Sequence, residues 1–196
     1  MNQDKWEESL IRRSLKGHHS AFKELYEKYA QPVFQTVYRL LGERTSAEDI
    51  TQEVFITIYE NLENFEYKSA FGTWCYRITV NKCIDVMRKK NRRQKYKKGT
   101  INPDKFDLLL KAEDSEQPDQ KLKQKEISRI IHHYLQDMQE ELKITFVLRE
   151  FEQLAYKDIA EVMDCSQGTV ASRLARARSN LAEHLEKQGI DNTYLN

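Results

Sequence analysis

Trp74, Arg77, Asn81, Asp85, Arg88 and Arg92 recur at three- and four-residue steps. At about 100° per residue they share one face of a helix. Cys75, Thr79, Val80, Cys83, Val86 and Met87 fall on the opposite side, which packs. The displayed face therefore joins an aromatic plane, an amide and several cations. Aromatic rings stack on unpaired bases, an amide hydrogen-bonds base edges, and a cationic run follows phosphates. The cations continue past the face: Arg88 to Lys98 holds eight basic residues and no acidic one. This mixture suits a nucleic-acid strand being opened better than an intact duplex. The competing reading makes Trp74 ordinary core and the basic run a solvated helix end.

A second constellation lies in residues 155–181, AYKDIAEVMDCSQGTVASRLARARSNL, which has the layout of a helix-turn-helix. Ile159 and Met163 face a core from a short first helix, and Ala160 is small where two helices approach. Asp164 sits where the turn wants a residue tolerant of left-handed geometry, and Ser166 can cap the next helix. Val170, Leu174, Ala177, Leu181 and Leu185 form one narrow apolar stripe. The other face shows Gly168, Ser172, Ala175, Arg176 and Ser179, with Arg173 and Arg178 on the flanks. Small residues allow close approach to a major groove, a central arginine reads guanine edges, and flanking arginines hold phosphates. The plainer alternative is an amphipathic core helix with solvated arginines.

A third surface is acidic. On a helix after Thr45, the residues Asp49, Gln52, Glu53 and Glu60 lie off the buried stripe. Such a face suggests a protein partner, although a merely solvated face is the commoner explanation of the pattern.

Catalysis has no comparable support. The sequence shows no glycine-rich phosphate loop, no zinc-spaced Cys/His set and no nucleophile elbow. The pairs His18–His19 and His132–His133 are adjacent, so on a helix they point about 100° apart and serve a shared metal poorly. They read as surface or capping histidines. Cys75, Cys83 and Cys165 lack CxxC spacing and read as reduced, buried small hydrophobes. No metal, cofactor or small-molecule substrate is expected.

The elements that must position these residues are helical. Only six glycines and three prolines punctuate the 196 residues, and no long alternation of β-branched residues occurs. Phe22, Leu25, Tyr26, Tyr29, Val33, Val37 and Leu41 predict a helix with Ser20 as N-cap and Gly42 as stop. Pro32 should kink or split it. Thr45 and Glu48 have capping-box spacing for the next helix, which buries Ile50, Val54, Ile58 and Leu62. A third begins close to Phe71. Between Lys95 and about Gln124 the periodicity fails, with Gly99, Pro103, Pro118 and a short apolar knot at Phe106–Leu110. That composition is a linker, and its length of about 30 residues argues for two domains. Periodicity returns at Ile127, Ile130, Ile131, Tyr134 and Leu135, and runs through Leu142, Phe146 and Leu148. The expected fold is all-α: two small helical domains joined by a flexible linker, the C-terminal one a helix-turn-helix.

The formal net charge is +1 and 39% of residues are hydrophobic, too apolar for wholesale disorder. No export signal and no apolar run near the roughly 20 residues of a membrane span occurs, which predicts a cytoplasmic protein.

Taken together, three stretches resemble a bacterial sigma factor of the extracytoplasmic-function type (group 4), which keeps only conserved regions 2 and 4. AEDITQEVFITIYENLENF (47–65) resembles the family's segment that docks on the clamp helices of RNA polymerase. FGTWCYRITVNKCIDVMRK (71–89) resembles its promoter-melting and −10-reading segment, and GTVASRLARAR (168–178) its −35 recognition helix. The resemblance implies region 2 over 1–95, a linker over 96–124 threading polymerase channels, and region 4 over 125–190. It assigns core polymerase docking to Asp49, Gln52, Glu53 and Phe55. It assigns −10 DNA to Trp74, Arg77, Asn81, Lys82, Arg88, Lys89 and Arg92, with Asn81 near the pocket for a flipped base. It assigns −35 DNA to Ser166, Gln167, Gly168, Thr169, Ser172, Arg173, Arg176 and Arg178. Many members carry arginine or lysine where this chain has Ala171, so one −35 contact is absent. The implied partners are core RNA polymerase (its beta and beta-prime subunits), promoter DNA and an anti-sigma factor, in this family often membrane-anchored. The implied function is an alternative transcription initiation factor that performs no chemistry. Its rival is a stand-alone helix-turn-helix regulator, which would bind duplex operator without polymerase.

Overall fold

The structure, a computed structural model, describes residues 2–96 and 129–188. The described residues form helices joined by short turns. The linker expected over 96–124, with its apolar knot Phe106–Leu110, lies outside them save for Tyr96.

Helix α1 spans Asn2–Leu15 and has no counterpart in the sequence reading. Its packed face is Glu7, Leu10, Ile11 and Ser14, at helical spacing but half polar, so periodicity of apolar residues misses it. The polar half is satisfied internally. Ser14 Oγ donates to Leu10 O at 2.8 Å, and Glu7 accepts from Tyr29 Oη at 2.6 Å and from the Lys28 ammonium.

Helix α2 spans His19–Leu41. It starts a residue before the expected cap: His18 is the N-cap, without a side-chain bond, and Ser20 already lies in the first turn. Ala21 N donates to His18 O at 3.0 Å, so backbone closes the start. Pro32 does not split the helix, which continues through it for nine further residues. A proline removes one helical hydrogen bond, and burial of Val33, Val37, Leu40 and Leu41 on the same helix outweighs that loss. Tyr26, expected in the stripe, is exposed instead. The expected stop is present: Gly42 adopts φ +77°, and its N–H donates to Tyr38 O at 2.8 Å.

Helix α3 spans Arg44–Glu60. Its start inverts the expected capping box. The N-cap is Glu43, whose carboxylate accepts from Thr45 Oγ1 at 3.1 Å and Ser46 Oγ at 2.8 Å. Glu48 instead pairs with Arg44 at 2.9 Å. Ile50, Val54 and Ile58 are buried as expected, and Leu62, also buried, sits in a 3-10 turn at Leu62–Asn64. Helix α4 spans Phe71–Tyr96 and packs on α2 and α3.

In the second half, residues 129–137 form α5, followed by α6 at Glu140–Glu150, α7 at Tyr156–Val162 and α8 at Gln167–Lys187. The helix-turn-helix is formed as expected by α7 and α8. Asp164 takes φ +48° in the turn. Ser166 Oγ accepts from Thr169 N at 3.1 Å, satisfying one of the orphan donors of α8. Val170, Leu174, Ala177, Leu181 and Leu185 are all at most 1% exposed. Met163, expected as core, is half-buried, and its neighbour Val162 takes the buried place.

The two halves touch. Helix α4 packs against α7, and α2 against α6.

Candidate nucleic-acid and partner surfaces

Helix α4 presents its polar face largely as the spacing predicts. Arg77, Asn81, Asp85, Arg88, Lys89 and Arg92 are exposed, while Cys75, Thr79, Val80 and Cys83 are buried beneath them. Val86 and Met87 are half-buried. Burial pushes the Cys83 thiol up to about 12 and Cys75 well above its ordinary value, so both behave as packing atoms. Cys165 is only half-buried, against expectation.

Trp74 stands between the two readings offered for it. It is half-buried, with its ring 5.3 Å from that of Phe65 and 5.8 Å from Phe71. Phe65 also meets Tyr67 at 4.8 Å. The sequence reading missed this aromatic wall. Its signal was the density of rings between Phe65 and Trp74, hidden because the intervening segment is not helical. Tyr67 holds φ +58° and remains exposed at the edge. Lys82 is half-buried and lies 3.5 Å from Glu53, so a residue assigned to DNA and one assigned to a protein partner neutralise each other across α3 and α4.

On α8, Ser166, Gln167, Gly168, Ser172 and Arg176 are exposed, and Thr169 and Arg173 are half-buried. Ser172 Oγ bonds Thr169 O at 2.9 Å, and Thr169 Oγ1 bonds Ser166 Oγ at 2.9 Å. Arg173 reaches Cys165 Sγ at 3.8 Å. Arg178 is held by Glu150, with Nε at 3.0 Å and Nη2 at 2.6 Å from one carboxylate oxygen. Arg178 therefore ties α8 to α6, whereas Arg176 projects from the centre of the exposed face.

On α3, Asp49, Gln52 and Glu53 are exposed, but Phe55 is 5% exposed and packs edge-on against Tyr26 at 4.7 Å. It supports the face from below. Ile56, 57% exposed, and Tyr59, at 46%, continue the outer row one turn further. Tyr26 adds a ring from α2, and Phe22 braces Tyr59 at 4.9 Å. Sequence reasoning noticed only the acidic part of this face. The missed signal was two large apolar residues on α3 outside the stripe of Ile50, Val54 and Ile58.

Where the halves meet, His132 stacks on Tyr38 with ring centres 4.9 Å apart. Burial, with Lys143, Arg39 and His133 nearby, pushes its pKa down to about 4. An unfolded histidine titrates near 6.5, so between pH 6.5 and 4 the unfolded chain binds the extra proton. Stability is therefore expected to fall as pH drops from 6.5 toward 4. His132→Gln should flatten that slope by about 1–2 kcal/mol, discounted for the ring's remaining contact with solvent. Urea unfolding at pH 7 and pH 5 checks it; equal slopes in both proteins would remove the role of His132.

Among the described residues, no group of three or more His, Cys, Asp or Glu side chains is placed to hold a metal ion. No helix among them is long and apolar enough to cross a membrane.

These surfaces fall within two matched families: sigma-70 region 2 over residues 25–93 and sigma-70 region 4 over 128–181. The chain is 36% identical to the RNA polymerase sigma-H factor of Pseudomonas aeruginosa, over 92% of this chain and 94% of that one. It is 33% identical to the ECF RNA polymerase sigma-E factor of Haemophilus influenzae (92% and 95%) and 32% identical to that of Escherichia coli K12 (91% and 93%). Two solved structures share the fold. The sigma factor RpoE in complex with the anti-sigma factor NepR from Bartonella quintana aligns with TM-score 0.67, 21% identity and coverage of 84% and 96%. CnrH in complex with the cytosolic domain of CnrY aligns with TM-score 0.68, 20% identity and coverage of 93% and 98%. The chain belongs to the extracytoplasmic-function sigma factors of the sigma-70 family. It is thus an alternative sigma factor that directs RNA polymerase to promoters, and the stand-alone regulator is not favoured.

Proposed function

We propose that this chain is a cytoplasmic, non-catalytic sigma factor of group 4. Region 2 occupies 1–95, a connecting segment 96–124 and region 4 125–190. The boundaries are supported by the two family matches, which fall inside them. The observation that carries the reading is the exposed row of Arg77, Asn81 and Arg88 on α4, backed by the rings of Phe65 and Trp74.

The −10 surface comprises Trp74, Arg77, Asn81, Lys82, Arg88, Lys89 and Arg92, with Tyr67 as an added ring at its edge. Its cations draw in the phosphates, and the rings and the Asn81 amide favour a base that has left the stack. Because the surface binds the flipped base and not the stacked one, it shifts the duplex toward the open form. The −35 surface is the start of α8, from Ser166, Gln167, Gly168 and Thr169 through Ser172, Arg173 and Arg176. Core polymerase docks on Asp49, Gln52, Glu53, Ile56 and Tyr59, with Phe55 beneath. Both solved neighbours are complexes with an anti-sigma factor or a partner's cytosolic domain, which supports an anti-sigma partner here as well.

Asn81→Ala tests the reading. The variant holoenzyme is expected to bind promoter DNA within about twofold of the parent and to form open complexes roughly tenfold more slowly, the loss of about one base-specific contact. Permanganate reactivity of thymines in the melted strand checks it. Equal reactivity in mutant and parent would remove Asn81 from the −10 surface.

A further inference from the structure

Helix α1 carries a carboxylate that none of the surfaces above uses. Glu7 is 7% exposed, and a single oxygen, Oε1, accepts from both Tyr29 Oη at 2.6 Å and the Lys28 ammonium. The same ammonium lies 5.2 Å from the centre of the Trp6 ring and 5.1 Å from that of Tyr29. A buried carboxylate is costly unless paired and hydrogen-bonded, and an apolar side chain would fasten α1 to α2 without that cost. What the carboxylate adds is direction: it fixes the Tyr29 hydroxyl, and with it the tilt of the ring. Burial and the bond to Glu7 push the Tyr29 phenol well above its ordinary value, so it stays a donor around neutral pH.

That ring is continuous with the aromatic wall behind α4. Tyr29 meets Phe71, the first residue of α4, edge-on at 5.5 Å. Phe71 is 3% exposed and in turn meets Phe65 at 5.5 Å and Trp74 at 5.8 Å. Gly72 admits the contact, because a Cβ there would stand 3.3 Å from Cε1 and 3.4 Å from Oη of Tyr29. Helix α1 also packs on the turn Leu62–Asn64, which leads into Phe65. It therefore supports the wall at both ends.

We propose that Glu7, acting through Tyr29 and Phe71, is a positioning residue for promoter opening: it sets the orientation of Trp74 on which an unstacked −10 base is received. The inference deepens the −10 reading given above and rests on it. A side chain that receives a ligand must be held to about 0.5 Å and 10–20° by its neighbours. Half-buried Trp74 leans on Phe65 and Phe71, and Phe71 leans on a tyrosine whose hydroxyl is anchored.

The test compares holoenzymes carrying Tyr29→Phe, Glu7→Ala, Glu7→Gln or Gly72→Ala. Tyr29→Phe and Glu7→Ala are expected to form open complexes about fivefold more slowly, with core affinity and initial promoter binding within about twofold of the parent. Glu7→Gln keeps the accepting oxygen and is expected to open promoters within about twofold of the parent. Gly72→Ala improves helix propensity yet crowds Tyr29, so it is expected to slow opening without lowering melting temperature. In free chains carrying Trp6→Phe, Trp74 is the sole tryptophan. Its fluorescence is expected to become more quenchable by acrylamide in Tyr29→Phe and Gly72→Ala, and to stay parental in Glu7→Gln. Parental opening rates in Tyr29→Phe and Gly72→Ala would overturn the proposal. So would an equal loss of core binding, promoter binding and opening, which marks a merely structural role, or a Glu7→Gln as slow as Glu7→Ala. If Glu7→Ala loses helix by circular dichroism, Tyr29→Phe, which removes one oxygen, decides. Asn81→Ala run alongside separates the two readings. Slow opening there with parental opening in the Tyr29 and Gly72 variants sinks the positioning role alone, whereas parental opening in Asn81→Ala sinks the −10 reading beneath it.

Discussion

The double variant Asp49→Lys, Glu53→Lys is expected to bind core RNA polymerase ten- to a hundredfold more weakly than the parent. Both carboxylates stand exposed on the outer row of α3, beside Ile56 and Tyr59. A partner that fits this row must offer cations around an apolar centre, and reversing two charges then sets like against like. Such juxtaposition costs several kcal/mol when desolvated and about 1–3 kcal/mol at a wetter rim. Glu53 also neutralises Lys82 at 3.5 Å, so its reversal crowds two cations on region 2 itself. The single Asp49→Lys change avoids that ambiguity and should carry at least a third of the effect in free energy. Competition against a reference sigma factor measures it. Undiminished binding by both variants would take α3 out of the docking surface.

The second large effect is expected at Arg176. It projects from the middle of the exposed face of α8, and its neighbours Ser172 and Ala175 are small enough for the helix to enter a groove. A bidentate arginine–guanine contact is worth about 1–3 kcal/mol of discrimination. Arg176→Ala should therefore cost roughly five- to a hundredfold in preference for the parent −35 element over a scrambled one, with little change in melting temperature. Arg178→Ala makes an instructive contrast. Its guanidinium holds Glu150 of α6 through two hydrogen bonds, so its loss should loosen region 4 while leaving base preference almost intact. In vitro transcription on paired templates separates the two. Identical template preference for Arg176→Ala and parent would refute base reading by this residue.

Much of region 4 could be read directly from residue order. A five-residue stripe, a serine cap and an aspartate at a left-handed position each depend on neighbours within a few residues, and each is present. Gly42 ending α2 is equally local. Other features depend on residues far apart in the chain. Helix α1 buries Glu7 and Ser14 among its packed positions, which makes sense only once Lys28 and Tyr29 are known to face Glu7. The capping box at Thr45 failed because Glu43 was the nearer acceptor for both hydroxyls. Phe55 looked like part of a binding face until Tyr26 covered it. The aromatic wall behind α4 comes from a bent segment whose rings have no period. Least legible was the contact between the halves, since its partners are 76 to 113 residues apart. Of the five α4 cations assigned to −10 DNA, Arg77, Arg88, Lys89 and Arg92 stand exposed, and Lys82 is drawn into an ion pair with Glu53.

Cys75 and Cys83 lie sealed beneath α4, their thiols held far from ionisation at neutral pH, while Cys165 borders the turn before α8. Toward a bulky thiol reagent the folded chain consequently behaves as though it had one cysteine. A maleimide fluorophore would settle beside the start of α8 without any engineering, and a burst of labelling at the other two would announce that region 2 had come apart.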